Sequence, residues 1–506
     1  MSCVVAIDAG TTGVRSLVVD GSGAVVDLAY RELTQYFPRP GWVEHDAAEI
    51  WEAVRATLAE VSGRLAEAGR PVAAVGITNQ RETAIAWDRR TGRPLHRAIV
   101  WQDRRTAPVC EKLREAGHLP AIRARTGLVL DSYFSATKYA WLLDEGGVGD
   151  GRPSDLALGT VDTWVLWNLT GGAAAGVFAT DATNASRTLL YDIGDRAWSA
   201  ELCELFGVPP GFLAEVRPSC GRFGLLDTGV VPGGSALAGV PVSGVAGDQQ
   251  SALFGQACFE PGMVKVTYGT GSFVLANAGP SCPPVPDGLV ATIAWDLGEH
   301  GGAAGPVTYA LEGSTFVSGA AIQWLRDGLG LIERAEEVGP LAESVTDSGG
   351  VTVVPAFTGL GSPWWDPRAR GIITGITRGA GRAQIARAVV EAMAFQVRDM
   401  VDAMVATTGT PVTELRADGG AAAMGLLLQL EADQVRARVV RPRSVESTAL
   451  GAATLAGLAE GVWGSLDELA SLWAPDVQHE PTLDPVLADL AYDAWRRSVE
   501  RSRDWA

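Results

Sequence analysis

The sequence predicts an α/β protein built from two diverged copies of one domain, and three observations lead to this fold class. Helical and strand-like apolar patterns alternate along the chain, as they do in α/β proteins. A strand, tight turn, strand unit with a Gly-Thr core occurs twice, about half a chain length apart. A chain of 506 residues also exceeds the size that one hydrophobic core usually supports. We therefore predict an N-terminal domain at 1–253 and a C-terminal domain at 254–506.

Each predicted copy contains a β-hairpin whose turn is rich in glycine and threonine. Apolar residues flank the turn on both sides, and the glycines allow the tight reversal that two adjacent strands need. The strand, turn and strand lie at 4–7, 8–13 and 15–19 in the first copy, and at 263–266, 267–272 and 273–276 in the second.

A helix and a buried strand follow the first hairpin. Apolar residues recur every three or four positions after Asp46, with Glu49 three residues later, which predicts a capped amphipathic helix that Gly69 ends. The apolar strand at 72–77 then delivers the polar segment 79–83 at its C-terminal end. This is the edge where α/β sheets usually place ligand groups.

The second copy shows the same alternation. Periodic apolar residues predict a long helix around 385–404. A short apolar strand at 415–417 then leads to the glycine pair Gly419-Gly420.

Composition and charge exclude several classes of protein. With 47% hydrophobic and 20% charged residues, the chain is expected to fold and not to be disordered. Its net charge of −18 opposes a general polyanion-binding surface, so we expect no nucleic-acid partner. The six cysteines include no CxxC pair, which argues against a zinc site or a disulfide framework. The sequence shows neither a signal-peptide pattern nor an apolar run of about 18 residues, so we expect a cytoplasmic protein without an integral membrane segment.

The Gly-Thr turns suit a phosphate group. Glycine lets backbone N–H groups approach an anion closely, and threonine adds a hydroxyl donor. The chain has no GxxxxGK[ST] motif and no GxGxxG after its first strand, so the P-loop and Rossmann sites are excluded. One such turn is often only a structural hairpin, whereas two turns together with Gly419-Gly420 favour a nucleotide site between the halves.

Two aspartates in turn-like contexts beside glycine are candidates for metal binding and proton removal. Asp8 precedes the first Gly-Thr turn, and Asp248 follows Gly247. Two carboxylates that converge on a phosphate can share Mg²⁺ coordination and the removal of a hydroxyl proton. The alternative for either residue is a turn aspartate that caps its own backbone.

A small polyol would suit the adjacent residues Arg81 and Glu82. The guanidinium supplies planar donors and the carboxylate supplies acceptors for neighbouring hydroxyls. Trp101 and Phe273 are candidates to cover the carbon face of such a ligand. A surface ion pair and ordinary core aromatics are the alternatives. The five histidines lack metal-ligand spacing, and no Ser-His-Asp hydrolase site is specified.

Longer motifs resemble those of one known family over essentially the whole chain. They are similar to motifs of the FGGY carbohydrate kinases of the glycerol kinase type, and they lie at 40–45, 76–83, 101–105, 133–145, 183–187, 247–250 and 371–391. The superfamily also includes actin, hexokinase and the heat-shock chaperone ATPase. The resemblance implies two actin-like (ribonuclease H-like) domains around an interdomain cleft, with glycerol held mainly by the first domain and ATP by both.

The resemblance also implies a role for each matching residue. Asp248 would be the general base toward the 3-hydroxyl of glycerol, and Asp8 would hold Mg²⁺ together with Asp248. The acceptor would contact Arg81, Glu82, Trp101, Tyr133, Asp248, Gln249 and Phe273. The phosphates would lie along Thr11, Thr12, Arg15, Thr270 and Gly271, and the other end of the nucleotide along Gly319, Gln323, Gly420 and Met424.

The implied function is ATP-dependent and Mg²⁺-dependent phosphorylation of glycerol to sn-glycerol 3-phosphate by a homo-oligomer, a dimer or a tetramer. Two alternatives stay open: a kinase of the same fold for another polyol or ketose, and a non-catalytic nucleotide-driven switch. The chain departs from the family at Met424-Gly425, where two asparagines are usual, and at 12–15, where a pair of serines is common. The first departure is expected to remove a polar contact to the nucleotide.

Overall fold

The computed structural model describes residues 2–149, 155–229, 231, 236–285, 287–300 and 307–505. In the first half of the chain, the helices and strands of these residues are β1 (Cys3–Ala9), β2 (Gly13–Val19), β3 (Val25–Glu32), β4 (Glu44–His45), α1 (Ala47–Glu67), β5 (Val72–Asn79), β6 (Ile85–Asp88), β7 (Arg93–Pro94), β8 (Ala98–Ile99), α2 (Ala107–Glu115), α3 (Leu119–Thr126), α4 (Ser135–Leu143), β9 (Leu156–Gly159), α5 (Val161–Leu169), α6 (Gly172–Ala175), β10 (Ala179–Asp181), α7 (Ala182–Ala185), β11 (Tyr191–Asp192), β12 (Ala197–Trp198), α8 (Ala200–Phe206), β13 (Glu215–Arg217), β14 (Cys220–Leu225), β15 (Pro241–Gly247) and α9 (Asp248–Gly255).

The second half continues the alternation of strands and helices. Its elements are β16 (Met263–Tyr268), β17 (Ser272–Gly279), β18 (Val290–Asp296), β19 (Val307–Thr315), α10 (Gly319–Asp327), α11 (Val338–Glu343), β20 (Thr352–Val354), β21 (Ile372–Thr374), α12 (Arg382–Thr408), β22 (Glu414–Gly419), α13 (Gly425–Val435), β23 (Arg438–Pro442), α14 (Ser447–Ala459), α15 (Leu466–Leu472), β24 (Pro475–His479) and α16 (Pro485–Ser502).

The two main sheets have the same arrangement of five strands. The first sheet has the order β14-β15-β5-β1-β2-β3, and the second has the order β18-β19-β17-β16-β22-β23-β24. In each sheet three antiparallel strands, β1-β2-β3 or β16-β17-β19, continue into two parallel strands, β5 and β15 or β22 and β23. The predicted α/β class is confirmed, and the two Gly-Thr hairpins occupy equivalent places in the two sheets.

Helix α1 shows how local sequence sets an element. The carboxylate of Asp46 accepts a hydrogen bond from the N–H of Ala48 at 2.8 Å, which caps the helix. Its apolar positions are buried against the first sheet, and Gly69 adopts φ 61° just beyond the last turn. The predicted helix is therefore observed with nearly the predicted ends.

Helix α14 belongs to the second half of the chain but packs on the first sheet. It contacts β1, β5 and β15 and also α9. A Cβ on Gly76 of β5 would lie 2.1 Å from the carbonyl oxygen of Ala452, so only glycine permits this approach. All strands of the first sheet precede the predicted boundary between 253 and 254, and all strands of the second sheet follow it. Helix α14 follows the boundary in sequence but packs on the first sheet. The domain limits themselves stay a prediction.

Separate apolar cores lie beside the two sheets. One is built from strands and helices of the first half, and a larger one mainly from β16, β17, β19, α12 and α13. No helix among the described residues has the length and apolarity needed to cross a membrane.

Candidate active site

Three parallel strands end at one edge of the first sheet and bring three predicted site segments together. β1 and β5 end side by side with Ala9 opposite Asn79, and β15 ends on the other side of β5. Asp8 of β1, Arg81, which follows β5, and Asp248, which follows β15, therefore lie at the same edge of the sheet, and Asp8 and Asp248 interact electrostatically there. Parallel strands place their carboxyl ends at a common edge, so residues far apart in sequence converge there.

A cavity of about 680 Å³ lies between the two halves of the chain. This volume is in the range of small-molecule sites. Its walls include, from the first half, Thr11, Thr12, Trp101, Tyr133 and Arg187 and, from the second half, Thr270, Gly271, Phe273 and Glu312. All of these except Arg187 and Glu312 are residues that the sequence predicts for the site.

Arg81 and Glu82 are core residues and not a surface pair. Only 2% of Arg81 and 1% of Glu82 is exposed, which excludes the surface-pair alternative. Glu82 adopts φ 60°, a left-handed conformation that is uncommon for a residue with a side chain. Backbone conformations of this kind concentrate at functional sites.

A buried charge cluster surrounds these two residues. Glu312 accepts hydrogen bonds from both terminal nitrogens of Arg81, at 2.6 and 3.2 Å, and from Nη2 of Arg187 at 2.9 Å. Arg187 also donates from Nε to Glu82 at 2.7 Å. Burial alone would raise the pKa of Glu312, but the guanidinium groups of Arg187 and Arg81 outweigh it and hold this pKa at about 2. Burial raises the pKa of Glu82, with partial compensation from the same two arginines.

Asp248, expected in a turn, is the first residue of α9. Its side chain remains 30% exposed, and its Oδ1 lies 3.1 Å from Nε of Arg81. Burial raises the pKa of Asp248, although Arg81 opposes the shift. A raised pKa makes a carboxylate a better proton acceptor near neutral pH.

Gln249 is fixed by a buried lysine. Lys265 on β16 donates to Oε1 of Gln249 and, at 2.8 Å, to Oγ1 of Thr267. Burial lowers the pKa of Lys265 to about 8, against the opposing influence of Asp418 and Asp248. The second half of the chain thus orients a side chain predicted to bind the acceptor.

Aromatic residues from both halves of the chain line the cavity. Trp101 and Tyr133 pack edge to face with ring centroids 5.6 Å apart, and the hydroxyl of Tyr133 accepts a long hydrogen bond from Arg81 at 3.4 Å. Phe273 of β17 lines the same cavity and is partly buried. The predicted aromatic cover is therefore present on both sides of the cleft.

Asp8 is crowded by acidic groups. Burial raises the pKa of Asp8 to about 7; Arg15, 3.7 Å away, lowers it, whereas Asp248 and Glu446 raise it further. Arg15 is itself paired with Glu446 at 2.7 Å. A divalent cation would relieve the repulsion between Asp8 and Asp248, and Mg²⁺ commonly binds through one or two carboxylates together with substrate phosphates and water. These two residues therefore fit the predicted Mg²⁺ site.

The two Gly-Thr turns have related geometry. The N–H of Gly10 donates to the carbonyl of Gly13 at 3.0 Å, and that of Gly269 donates to the carbonyl of Gly271 at 2.8 Å. A Cβ on Gly271 would lie 2.0 Å from the carbonyl oxygen of Thr315, so this turn requires glycine. Thr12 and Thr270 are exposed beside the cavity, where their hydroxyls are available to an anion.

The residues predicted for the far end of the nucleotide do not line this cavity. Gly319 begins α10 and donates its N–H to Gly269 of the phosphate turn at 3.1 Å. Gln323 lies one turn later and is exposed, and Gly420 is exposed beyond β22. Met424 packs partly against the second core. The nucleotide roles of these four residues stay predictions.

Sequence reasoning assigned no role to Glu312, Arg187 or Lys265. Glu312 and Lys265 are single charged residues inside apolar strands, and burying a charge requires a partner. Arg187 ends the family-like motif at 183–187. Single charged residues within apolar strands are therefore the signal that points to Glu312 and Lys265, whereas Arg187 does not carry it.

Two family models together match most of the chain. The N-terminal domain of the FGGY family of carbohydrate kinases matches residues 3–255, and the C-terminal domain of that family matches residues 264–460. The chain belongs to the FGGY family of carbohydrate kinases. Each matched region of this FGGY kinase contains one of the two Gly-Thr turns, which the structure places at 10–12 and 269–271.

This FGGY kinase is similar over its full length to glycerol kinases. It is 52% identical over 509 residues to the glycerol kinase of Trichlorobacter lovleyi, with 100% of both chains covered. It is 51% identical over 504 residues to that of Halorhodospira halophila, covering 99% of this chain and 97% of the relative. Among solved structures, Plasmodium falciparum glycerol kinase with ADP has 34% identity and a TM-score of 0.92, with 99% of this chain and 98% of that chain covered.

Proposed function

We propose that this FGGY kinase transfers the γ-phosphoryl group of ATP to the 3-hydroxyl of glycerol, releasing sn-glycerol 3-phosphate and ADP. The observation that carries the proposal is the pairing of Asp248 with Arg81 at 3.1 Å, at the sheet edge where Asp8 also lies. A proton acceptor, a polyol-binding guanidinium and a metal-binding carboxylate are then available at one place. The full-length similarity to glycerol kinases supports glycerol as the acceptor and ATP as the donor.

The charge cluster is suited to a small neutral polyol. The N–H groups of Arg81 contact Glu312, Gln250, Tyr133 and Asp248, and Glu82 and Asp248 supply acceptors. A glycerol hydroxyl can both donate and accept, so it would share these donors and acceptors. Trp101 and Phe273 would face the carbon chain. An acceptor with its own negative charge would meet carboxylates here and would be disfavoured.

Asp248 is proposed to remove the proton of the attacking hydroxyl. The proton passes to the Asp248 carboxylate as the glycerol oxygen bonds to phosphorus and the bond between phosphorus and the ADP oxygen breaks. The N–H and hydroxyl donors of the two Gly-Thr turns would hold the phosphates in line with the acceptor. Asp8 and Asp248 would hold Mg²⁺, which would supply positive charge to the phosphate oxygens.

The test is an ADP-release assay across acceptors. The purified chain is given ATP and Mg²⁺ with glycerol, erythritol, dihydroxyacetone, xylulose or no acceptor, and phosphorus NMR identifies the product. Fastest release with glycerol and formation of glycerol 3-phosphate are expected. A higher kcat/KM for another acceptor would favour the alternative kinase, and acceptor-independent hydrolysis would favour the nucleotide-driven switch.

Cellular location and assembly are part of the same proposal. We infer a cytoplasmic protein that forms a homo-oligomer, a dimer or a tetramer. Cell fractionation and sedimentation equilibrium test these two statements, and each stays a prediction until then.

A further inference from the structure

We propose that Glu312, contributed by the second half of the chain, is the positioning residue of the acceptor site: it orients Arg81 and Arg187 of the first half toward Asp248 and Glu82. The inference rests on the proposed function, because it assigns a role within the same acceptor site.

The contacts of the two arginines share one pattern. Arg81 uses both terminal nitrogens on the two oxygens of Glu312 and turns its Nε to Asp248 at 3.1 Å. Arg187 uses Nη2 on Glu312 and turns its Nε to Glu82 at 2.7 Å. Each guanidinium is therefore anchored by Glu312 at one end and presents the other end to a carboxylate predicted to bind the acceptor.

Burial makes this anchoring necessary. Arg187 has no exposed side-chain surface, and Arg81 and Glu312 are only 2% and 3% exposed. Two buried guanidinium groups repel each other, and a carboxylate between them offsets that repulsion. Paired hydrogen bonds also fix the orientation of a planar guanidinium group. Without Glu312, neither guanidinium would be held at its terminal nitrogens, so the orientation of Arg81 toward Asp248 and of Arg187 toward Glu82 would no longer be fixed.

Glu312 also connects the two halves of the chain. It lies on β19 of the second sheet, whereas Arg81 follows β5 of the first sheet, 231 positions earlier. Glu312 lines the cavity together with Arg187, so the connection is made at the acceptor site itself. The acceptor site is complete only when the two sheets have this relative placement.

The experiment compares Glu312→Gln with the wild type and with Asp399→Asn. Glutamine keeps the size of the side chain but loses the charge that holds both arginines. We expect KM for glycerol to rise roughly ten- to hundredfold, because charge-assisted hydrogen bonds are lost, while KM for ATP changes less than about twofold. Glycerol should also lose its stabilising shift of the melting temperature, whereas the shift caused by ATP should remain.

Asp399→Asn is the matched control for a buried carboxylate of the second half. Asp399 accepts hydrogen bonds from Tyr492 and Trp495 of α16, so its loss should lower the melting temperature and leave glycerol saturation unchanged. Glu312→Asp, which keeps the charge on a shorter side chain, should restore part of the glycerol affinity. If Glu312→Gln fails to fold, KM for glycerol in Glu312→Asp is the measurement that tests the proposal.

The outcomes separate this inference from the proposed function. A wild-type chain without glycerol kinase activity would contradict the proposed function. An active wild type whose Glu312→Gln variant loses stability but keeps normal glycerol saturation, as Asp399→Asn should, would overturn the role of Glu312. Equal rises in KM for glycerol and ATP would overturn it as well, because a positioning residue of the acceptor site should not affect both.

Discussion

Trp101 donates its indole N–H to Oγ1 of Thr11 at 3.0 Å, across 90 positions of sequence. Trp101 is predicted to cover the carbon chain of glycerol, and Thr11 is predicted to contact the phosphates. One hydrogen bond therefore joins the acceptor side of the cavity to the phosphate side.

Trp101→Phe keeps an aromatic ring and removes this donor. We expect kcat/KM for glycerol to fall about two- to tenfold, the usual value of one neutral hydrogen bond. Thr11→Val should produce a similar loss in kcat/KM for glycerol. The double variant should be little worse than either single variant. The control Thr11→Ser keeps the acceptor oxygen and should behave as the wild type does. Steady-state kinetics of the four variants measures these losses. If the losses of the two single variants multiply fully in the double variant, the hydrogen bond between Trp101 and Thr11 does not contribute to kcat/KM for glycerol.

Asp248→Asn should abolish most of the phosphoryl transfer. An amide accepts no proton from the attacking hydroxyl, and loss of a general base typically lowers a rate by about 10² to 10⁴. Calorimetric titration with glycerol should still detect binding, because the amide oxygen remains an acceptor. Near-normal kcat in a folded variant would rule out Asp248 as the base.

Arg81→Lys keeps a positive charge but cannot span Glu312 and Asp248 together. KM for glycerol should rise roughly tenfold or more, the cost of losing a charge-assisted hydrogen bond, with little change in KM for ATP. Arg105→Lys is the control, since Arg105 is also buried and pairs with Asp103 and Glu44. It should lower the melting temperature and leave glycerol saturation unchanged, and equal kinetic effects in the two variants would indicate a purely structural role for Arg81.

Gly420→Ala tests the predicted nucleotide site at little cost to the fold. No atom outside its immediate chain neighbours lies within 4 Å of the position that a Cβ on Gly420 would take. A nucleotide in close contact there would be displaced, and overpacking costs of about 1–3 kcal/mol predict a rise in KM for ATP of roughly fivefold or more. Gly63→Ala in α1 has similarly open surroundings and should leave KM for ATP unchanged. An unchanged KM in Gly420→Ala would place the nucleotide elsewhere.

His45 should make the fold sensitive to acid. It is buried, its Nδ1 is hydrogen-bonded to Nε2 of Gln80 at 3.1 Å, and burial lowers the pKa of His45 to about 4 despite the opposing influence of Glu49. Between pH 6.5 and pH 4 the unfolded chain binds a proton that the folded chain does not, so stability decreases as pH falls through this window. The free energy of unfolding should therefore fall by about 3 kcal/mol across this window, at 1.36 kcal/mol per pKa unit. Denaturant unfolding at several pH values should show a smaller acid loss in His45→Gln, and identical losses would contradict the prediction.

Features set by local sequence could be predicted well. The capping pattern at Asp46 and Glu49 and the apolar periodicity that follows specify α1, because both act within one or two helical turns. The two Gly-Thr turns were predicted from glycine and threonine between apolar strands, and the structure shows that Gly271 has no space for a side chain. Asp8 and Asp248 were both placed wrongly in turns, because Asp8 lies in β1 and Asp248 begins α9. Nothing local distinguishes a turn aspartate from one near the end of a strand or at the start of a helix.

By itself the sequence determined the α/β class, the repeated hairpins and the motifs shared with the FGGY family, because these follow from periodicity, turn chemistry and resemblance. Only the tertiary structure decided that Arg81 and Glu82 are buried, that Glu312 lies between Arg81 and Arg187, and that α14 crosses onto the first sheet. These facts depend on how two sheets pack against each other. The partners of a buried charge are chosen by that packing over separations such as the 231 positions between Arg81 and Glu312, and no local pattern encodes them.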